Sequence, residues 1–584
     1  MSELILLKIK IKNNKFFKEK LHSAVNMSTI KNPVLKGFNP DPSMLRVGDD
    51  FYIAVSTFEW FPGVVIYHST DMVNWRQVAR PLNRVELLDM KGNPDSGGVW
   101  APQLSYADGK FYLIFSDVKV TGGIYKDVTN YLTTCETIDG EWSDPVFMNQ
   151  SGFDPSLFHD EDGRKWFVNM VWDHRNGKHD FGGIVLQEYN PDEKKLVGDR
   201  KIIYKGTDVG LTEAPHLYKF DDYYYLLTAE GGTMYDHHAT LARSKKLEGP
   251  YEIHPDNPLI SSWGHPRLAL QKAGHASIVN TKNGEWYLAH LTARPTKAPG
   301  DVLLMDRGYS QLGRETAIQK LEWKDGWPYV VDGNYPKVYV EGPDLPEQKW
   351  DPDFPVVDQF DSEELGGQWQ TLRIPYTQFA SLTDNPGNLR LYGAGGFSNL
   401  HKQALVARRW QAFEFEAETK VSFDPVTFQQ QAGLVNYYNT KNWTSLHVTW
   451  HEDKGKVIDL YAAERNNVSN PLGDDVIPVP DDAEAVWFKV LVDQYTYAFS
   501  YSFDGENWKD IPATFDSWKL SDEYIQESGF FTGAFVGMSQ PADFDYFRYE
   551  EKEDDRDHWT LTRHFGSGTK GKNKTVVGQS GTTK

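Results

Sequence analysis

Asp41, Asp154 and Glu213 each stand in a short segment marked by proline: FNPDPSM (38–44), FDPSLF (153–158) and TEAPHLY (212–218). Proline follows directly in Asp41-Pro42 and Asp154-Pro155, and one residue later, at Pro215, for Glu213. It has no N–H for a sheet ladder and fixes φ, so it marks the mouth of a strand rather than its middle. One Asp-Pro alone reads as a surface turn; three acids in matched settings read as a site. Carboxyl groups brought together in a low dielectric repel, and at least one is driven to keep its proton near neutral pH. A protonated acid beside an ionised base is the equipment of general acid–base hydrolysis. Two such groups can cleave a glycosidic bond. One protonates the leaving oxygen and the other activates water on the opposite ring face, with the carboxyls roughly 6.5–9.5 Å apart for inversion. A third carboxylate near the acid raises its pKa and fixes its orientation.

Residues so far apart in sequence need elements that bring them together. A short pattern recurs five times: a polar turn, two aromatics, then a β-prone run. It reads DDFYIAVST (49–57), GKFYLIFSD (109–117), RKWFVNMVW (164–172), DYYYLLTAE (222–230) and GEWYLAHLT (284–292). Its second aromatic falls at Tyr52, Tyr112, Phe167, Tyr225 and Tyr287, at intervals of 60, 55, 58 and 62 residues. Each copy reads as the second strand of a hairpin. STDMVNWRQV (69–78), CETIDGEWSDPV (135–146) and SKKLEGPYEI (244–253) read as outer strands of the same unit. Five such units closing radially predict a five-bladed β-propeller. Some 11–13 residues before each second aromatic lies the strand predicted to be innermost, and the residues at the matching offset are Asp41, Trp100, Asp154, Glu213 and His275. Innermost strands line the propeller axis, so these five are expected at one mouth of the channel.

The rhythm changes near PDLPEQKWDPDFP (343–355). Beyond it FEFEAETKVSF (413–423), SLHVTWH (445–451), KVIDLYAAE (456–464) and FKVLVDQYTYAFSYSFDGENW (488–508) alternate as strands, the last with a hairpin signal at Asp504-Gly505. The expected architecture is all-β: a propeller over 27–345, then a jelly-roll, concanavalin-like β-sandwich over 346–550. Residues 1–26 read as an extension outside the fold, because Lys8, Lys10 and Lys12 break the apolar patch Leu4–Leu7 at once and Met27 begins a natural-looking start. Residues 551–584 form a polar tail of disordered composition.

The 584 residues carry 82 acidic and 61 basic side chains, a formal net charge of −21. Such a chain is repelled by phosphate backbones and anionic lipid, which argues against nucleic acid and membrane as partners. A neutral ligand meets no such repulsion, and the 14% of aromatic residues offer faces for sugar rings. Cys135 is the single cysteine, which fits a reducing cytoplasm.

The runs GFNPDPSMLRVGDDFYIAVSTFEWFPGVVIYHSTDMVNW, GGVWAPQLSY, GFDPSLFHDEDG and LTEAPHLYK closely resemble glycoside hydrolase family 43, in particular its bacterial β-xylosidases with a C-terminal sandwich. The resemblance runs from about Ile30 to Glu550. It implies inversion on a five-bladed propeller, with Asp41 as general base, Glu213 as general acid and Asp154 as the residue that tunes and orients the acid. It further implies sugar contacts from Phe58, Trp100, Thr233, His275 and Arg314. Phe531, in GFFTGAFVGM (529–538), is expected to reach the pocket from the sandwich, with Phe530 the neighbouring choice. No cofactor is required; in some relatives a histidine placed like His275 helps hold a divalent cation such as calcium. The implied activity is removal of xylose from the ends of xylobiose and short xylooligosaccharides, with α-L-arabinofuranosidase side activity, in a homo-oligomer that is often a tetramer.

Three other readings compete. An α-L-arabinofuranosidase can use the same scaffold. A retaining enzyme on fructosides would need a carboxyl close enough to attack the sugar. A non-catalytic carbohydrate-binding propeller would need the aromatics but not three axial acids.

Overall fold

The computed structural model describes residues 28–297, 307–526 and 529–552; the extension 1–26 and the tail from 553 on lie outside the described residues. Among these the one α-helix is the single turn Asp522–Ile525, and the rest of the regular structure is strand with two short 3-10 turns.

Five antiparallel four-stranded sheets follow one another along the chain, the fourth with a short extra strand at Ile260–Ser261. Their first strands are Ser43–Val47, Gly98–Ala107, Ser156–His159, Glu213–Phe220 and Gln271–Asn280. Their second strands are Asp50–Val55, Lys110–Val118, Lys165–Trp172, Tyr223–Glu230 and Trp286–Ala293. The aromatic repeat therefore occupies the second strand of every blade. The segments read as outer strands run from the third strand through a turn into the fourth, at Arg76–Ala79, Val146–Asn149 and Glu252–Ile253.

Packing between blades accounts for the repeat. Tyr52 and Ala54 of blade 1 bury against Phe111 and Leu113 of blade 2. Tyr112 and Ile114 pack on Phe167 of blade 3, Val168 and Ile184 lie in one cluster with Leu217 and Leu226 of blade 4, and Tyr225 and Leu227 meet Leu288 of blade 5. Tyr287 and Ala289 return to Ile53 and Val65 of blade 1 and close the ring. Alternate residues of each second strand thus face opposite neighbours, as the period of two demands. Outside the blades, Thr29–Lys31 pairs with Tyr339–Glu341, and Asn32 Nδ2 donates to the carbonyls of Ile318 and Lys337. These contacts tie the start of the propeller to its end.

From Val357 to Glu551 two sheets pack face to face around a separate apolar core. Glu414–Ser422 shows the strict alternation of a half-buried strand. Two features differ from the sequence-based expectation. The stretch from 488 on is not one run: strands Val486–Asp493 and Thr496–Ser502 turn at Gln494, whose φ is 42°, and Asp504-Gly505 makes the next turn, to Lys509–Asp516. More consequentially, Trp60–Phe61 leaves the first blade and pairs with Gln370–Leu372, becoming the edge strand of the nine-stranded sandwich sheet. Trp60 stacks on Phe535 with ring centres 3.7 Å apart and planes at 13°. The two domains are joined through a shared sheet as well as through side chains.

Candidate active site

Asp41 and Asp154 each sit two residues before a first strand, Glu213 begins one, and Trp100 and His275 lie within theirs. The backbone there is held in the left-handed region: φ is 58° at Asp41, 56° at Asp154, 45° at His275, 38° at Ala101 and 52° at Ala214. Such conformations are costly for residues with a Cβ and persist where the surroundings fix them. Here they turn the side chains toward the axis. Asp41, Asp154, Glu213, Trp100, His275, Phe58, Thr233, Arg314 and Phe531 all line one cavity of about 220 Å³. Phe530 instead packs beside the sandwich core, with its ring centre 4.5 Å from that of Phe531.

The acids differ in their surroundings. Asp41 accepts from Ser56 Oγ at 2.6 Å and from Arg314 Nη1 at 3.2 Å, and His275 Nδ1 lies 3.4 Å away. Ser56 Oγ in turn accepts from the backbone N–H of Ala101 at 2.8 Å. Burial pushes Asp41 upward, but the Arg314 guanidinium, then His275 and the Ser56 hydrogen bond, hold it below the ordinary carboxylate range. His275 is itself pushed down by burial, against the pull of Asp41, so we assign the lasting positive charge beside Asp41 to Arg314.

Glu213 lacks such a partner. Burial, then repulsion from Asp41, push it up to about 8 against the attraction of Arg314 and Lys126. Asp154 accepts from the N–H of Ala214, the residue after Glu213, at 3.0 Å. Burial, then the charges of Glu213 and Asp41, drive it well above the ordinary value. The Asp154–Glu213 pair therefore carries a proton at neutral pH while Asp41 is ionised.

The walls are aromatic. Phe58, Trp100 and Phe531 surround one another with ring centres 5.7–6.1 Å apart. Trp100 Nε1 donates to the carbonyl of Ser96 at 2.8 Å, and Ser96 Oγ accepts from Phe531 N–H at 3.0 Å. The Phe531 carbonyl accepts from Arg314 Nη2 at 3.0 Å. The sandwich thus touches both a wall and the arginine that faces Asp41. Gly313 makes the approach feasible: its φ is 73°, and an added Cβ would stand 2.5 Å from the Thr532 carbonyl.

Further residues line the cavity that the sequence did not single out: Lys126, Phe153, Trp172, Phe181, His237 and Leu291, with Gly232. Lys126 Nζ lies 4.5 Å from the centre of the Trp172 ring, and burial lowers its pKa against the pull of Glu213. His237 is fully buried against Gly274, where an added Cβ would come within 2.2 Å of its ring. Its Nδ1 contacts the Gly232 carbonyl, and burial pushes it down to about 3, so it is neutral. A divalent cation beside His275 would meet the Asp41 carboxylate and be repelled by Arg314. Among the described residues no group of three or more His, Cys, Asp or Glu is arranged to hold a metal ion. A larger cavity of about 540 Å³ lies between Phe61 and Trp369, but its carboxylates, Asp139 and Glu364, are exposed and carry no mark of a catalytic pair.

The family model described as glycosyl hydrolases family 43 matches residues 30–328. The model described as the β-xylosidase C-terminal concanavalin A-like domain matches residues 357–550. A β-xylosidase of Bacillus subtilis is 57% identical over 532 residues, spanning 90% of this chain and all of that protein. A xylosidase/arabinosidase of Humicola insolens is 46% identical over 552 residues, spanning 92% of this chain and all of that one. The crystal structure of a xylan β-1,4-xylosidase from Bacillus halodurans superposes with a TM-score of 0.86 at 53% identity, covering 89% of this chain and all of the other.

Proposed function

The chain belongs to glycoside hydrolase family 43, and from that premise we propose that it is an exo-acting β-xylosidase that releases xylose from the non-reducing end of xylobiose and short xylooligosaccharides. Family 43 enzymes invert, and the site has the parts for it. Glu213, kept protonated by burial and by Asp41, donates to the leaving glycosidic oxygen. Asp41, kept ionised by Arg314, takes a proton from the attacking water. Asp154 holds the Ala214 N–H and so fixes the backbone that carries Glu213.

The observation that carries this reading is the opposite protonation of Asp41 and the Asp154–Glu213 pair in one aromatic-walled cavity of about 220 Å³. That volume is below the usual range for drug-sized ligands and suits one sugar residue rather than a chain passing through. Phe531 narrows it from the sandwich side, which favours attack at a chain end. NMR of the first-formed anomer tests the mechanism: α-xylose from a β-linkage supports it, and β-xylose rejects it.

The Humicola relative's name joins xylosidase and arabinosidase, and we propose α-L-arabinofuranosidase activity as a side reaction, measured by rates on the two nitrophenyl glycosides. Cytoplasmic location is supported by the single buried thiol of Cys135. Assembly as a homo-oligomer belongs to the same reading, and sedimentation velocity tests it.

A further inference from the structure

A second cluster of charge lies outside the cavity, where the sandwich helix Asp522–Ile525 enters the propeller. Glu523, 7% exposed, meets donors from two propeller segments and an ammonium from a third. Lys272 Nζ, fully buried, lies 2.6 Å from Glu523 Oε1. Ser310 donates its N–H at 2.7 Å and its hydroxyl at 2.8 Å, and the Tyr235 hydroxyl donates at 2.9 Å. Each segment also carries a residue of the cavity. Lys272 stands three residues before His275 on the same innermost strand, with φ at 58°. Tyr235 lies between Thr233 and His237, and Ser310 lies four residues before Arg314. The neighbouring Asp522 is 3.7 Å from Lys272 and accepts from the Tyr438 hydroxyl, which accepts from the N–H of Thr532, next to Phe531.

We propose that Glu523 and its counter-ion Lys272 are positioning residues for the reaction: from the sandwich domain, Glu523 fixes the three propeller segments that place His275, Thr233–His237 and Arg314 around Asp41. The inference rests on the reading of Asp41 as general base. A fully buried ammonium is costly to desolvate, and a residue with a Cβ at φ 58° adds to that cost. An apolar contact would join two domains with less strain. What the ionic hub adds is a fixed point shared by segments that do not touch in sequence, and catalytic geometry is sensitive to small misplacements. Lys272 holds Glu523 ionised despite its burial, and so keeps it an acceptor for the Ser310 and Tyr235 segments and a counter-charge for its own.

The test uses the full chain with Glu523→Gln, Lys272→Met, Lys272→Arg and Tyr235→Phe, assayed on xylobiose below each variant's thermal midpoint. Glu523→Gln is expected to lower kcat roughly ten- to a hundredfold with little change in KM. The acidic limb of kcat/KM should move to higher pH, because Arg314 is no longer held beside Asp41. The other groups facing Asp41 are His275, His237 and Ser56, and its charge acts in turn on Glu213 and Asp154 across the cavity; none of these is substituted, and His275 and His237 move with the segments that the hub holds. Lys272→Arg should recover most of the activity that Lys272→Met loses. A hub that only holds the fold would lower the thermal midpoint but leave kcat per folded molecule and the acidic limb unchanged, and that result overturns the proposal. If Glu523→Gln does not fold, Tyr235→Phe decides, since it removes one donor and leaves the ion pair; kcat and limb both unchanged there would also overturn it. Asp41→Asn is run in parallel: if it stays active, the reading of the site has failed, whereas if it is dead and the hub variants are normal, only the present inference fails.

Discussion

Arg314 Nη1 donates to Asp41 Oδ1 at 3.2 Å. Asp41 comes from the mouth of the first blade and Arg314 from just before the third strand of the fifth, so this contact spans the seam where the propeller closes. The same guanidinium donates to Phe531 of the sandwich. One cation therefore connects the two ends of the propeller and the second domain to the group assigned as base.

The pH profile should follow from that contact. Asp41 must be ionised and Glu213 protonated for turnover. Asp41 is depressed, so the acidic limb of kcat/KM should lie below the ordinary carboxylate range. Glu213 loses its proton near 8, which places the alkaline limb there. Arg314→Met removes the charge that lowers Asp41, so the acidic limb moves upward. An unmoved limb in Arg314→Met would show that Asp41 is not the group it reports.

Asp41→Ala and Glu213→Ala should each lower kcat on xylobiose by about 10²–10⁴, the ordinary worth of a general base or acid. Glu213→Ala should lose less on a nitrophenyl xyloside, whose leaving group needs little protonation. Near-normal turnover of xylobiose by Glu213→Ala would remove it as the acid.

Phe531→Ala takes away a wall of the sugar cavity but no charge. Its expected effect is a loss in kcat/KM of about 1–3 kcal/mol, the worth of a buried aromatic contact. KM should carry much of the loss, and the ratio of arabinofuranoside to xyloside rates should change because the cavity is wider.

The repeats placed the acids because a propeller turns equal sequence offsets into equal positions around one axis. Asp41, Trp100, Asp154, Glu213 and His275 meet for that reason. Lys126 and Trp172 lie off that register: Lys126 sits in a Gly-rich loop that reads as a solvated charge, and Trp172 ends a second strand and reads as packing. His237 shows itself only through Gly274, which leaves room for its ring from another blade. The pairing of Trp60–Phe61 with Gln370–Leu372 joins segments about 310 residues apart, and FEWFP holds nothing to distinguish it from a propeller loop. Lys272 did leave a signal: a lysine in an innermost strand, shortly before His275, requires a buried anion, and no acid near it in sequence supplies one.

Glu59 offers a prediction about stability at the same domain boundary. It is fully buried, and burial pushes it up to about 8, further helped by Asp95 and opposed by Arg373. Its Oε2 accepts from Ser96 N–H at 3.1 Å, while Oε1 has no hydrogen-bond partner. A carboxyl raised in the folded state contributes stability that is fully present below its unfolded pKa, near 4.5, and is lost as pH rises through about 8. Glu59→Gln keeps the acceptor and the shape but cannot ionise. The thermal midpoint of the wild type should therefore fall more steeply between pH 6 and 9 than that of Glu59→Gln, by the equivalent of roughly 2–4 kcal/mol. Parallel midpoints over that range would show that Glu59 is already ionised at pH 6, and that Arg373 outweighs its burial.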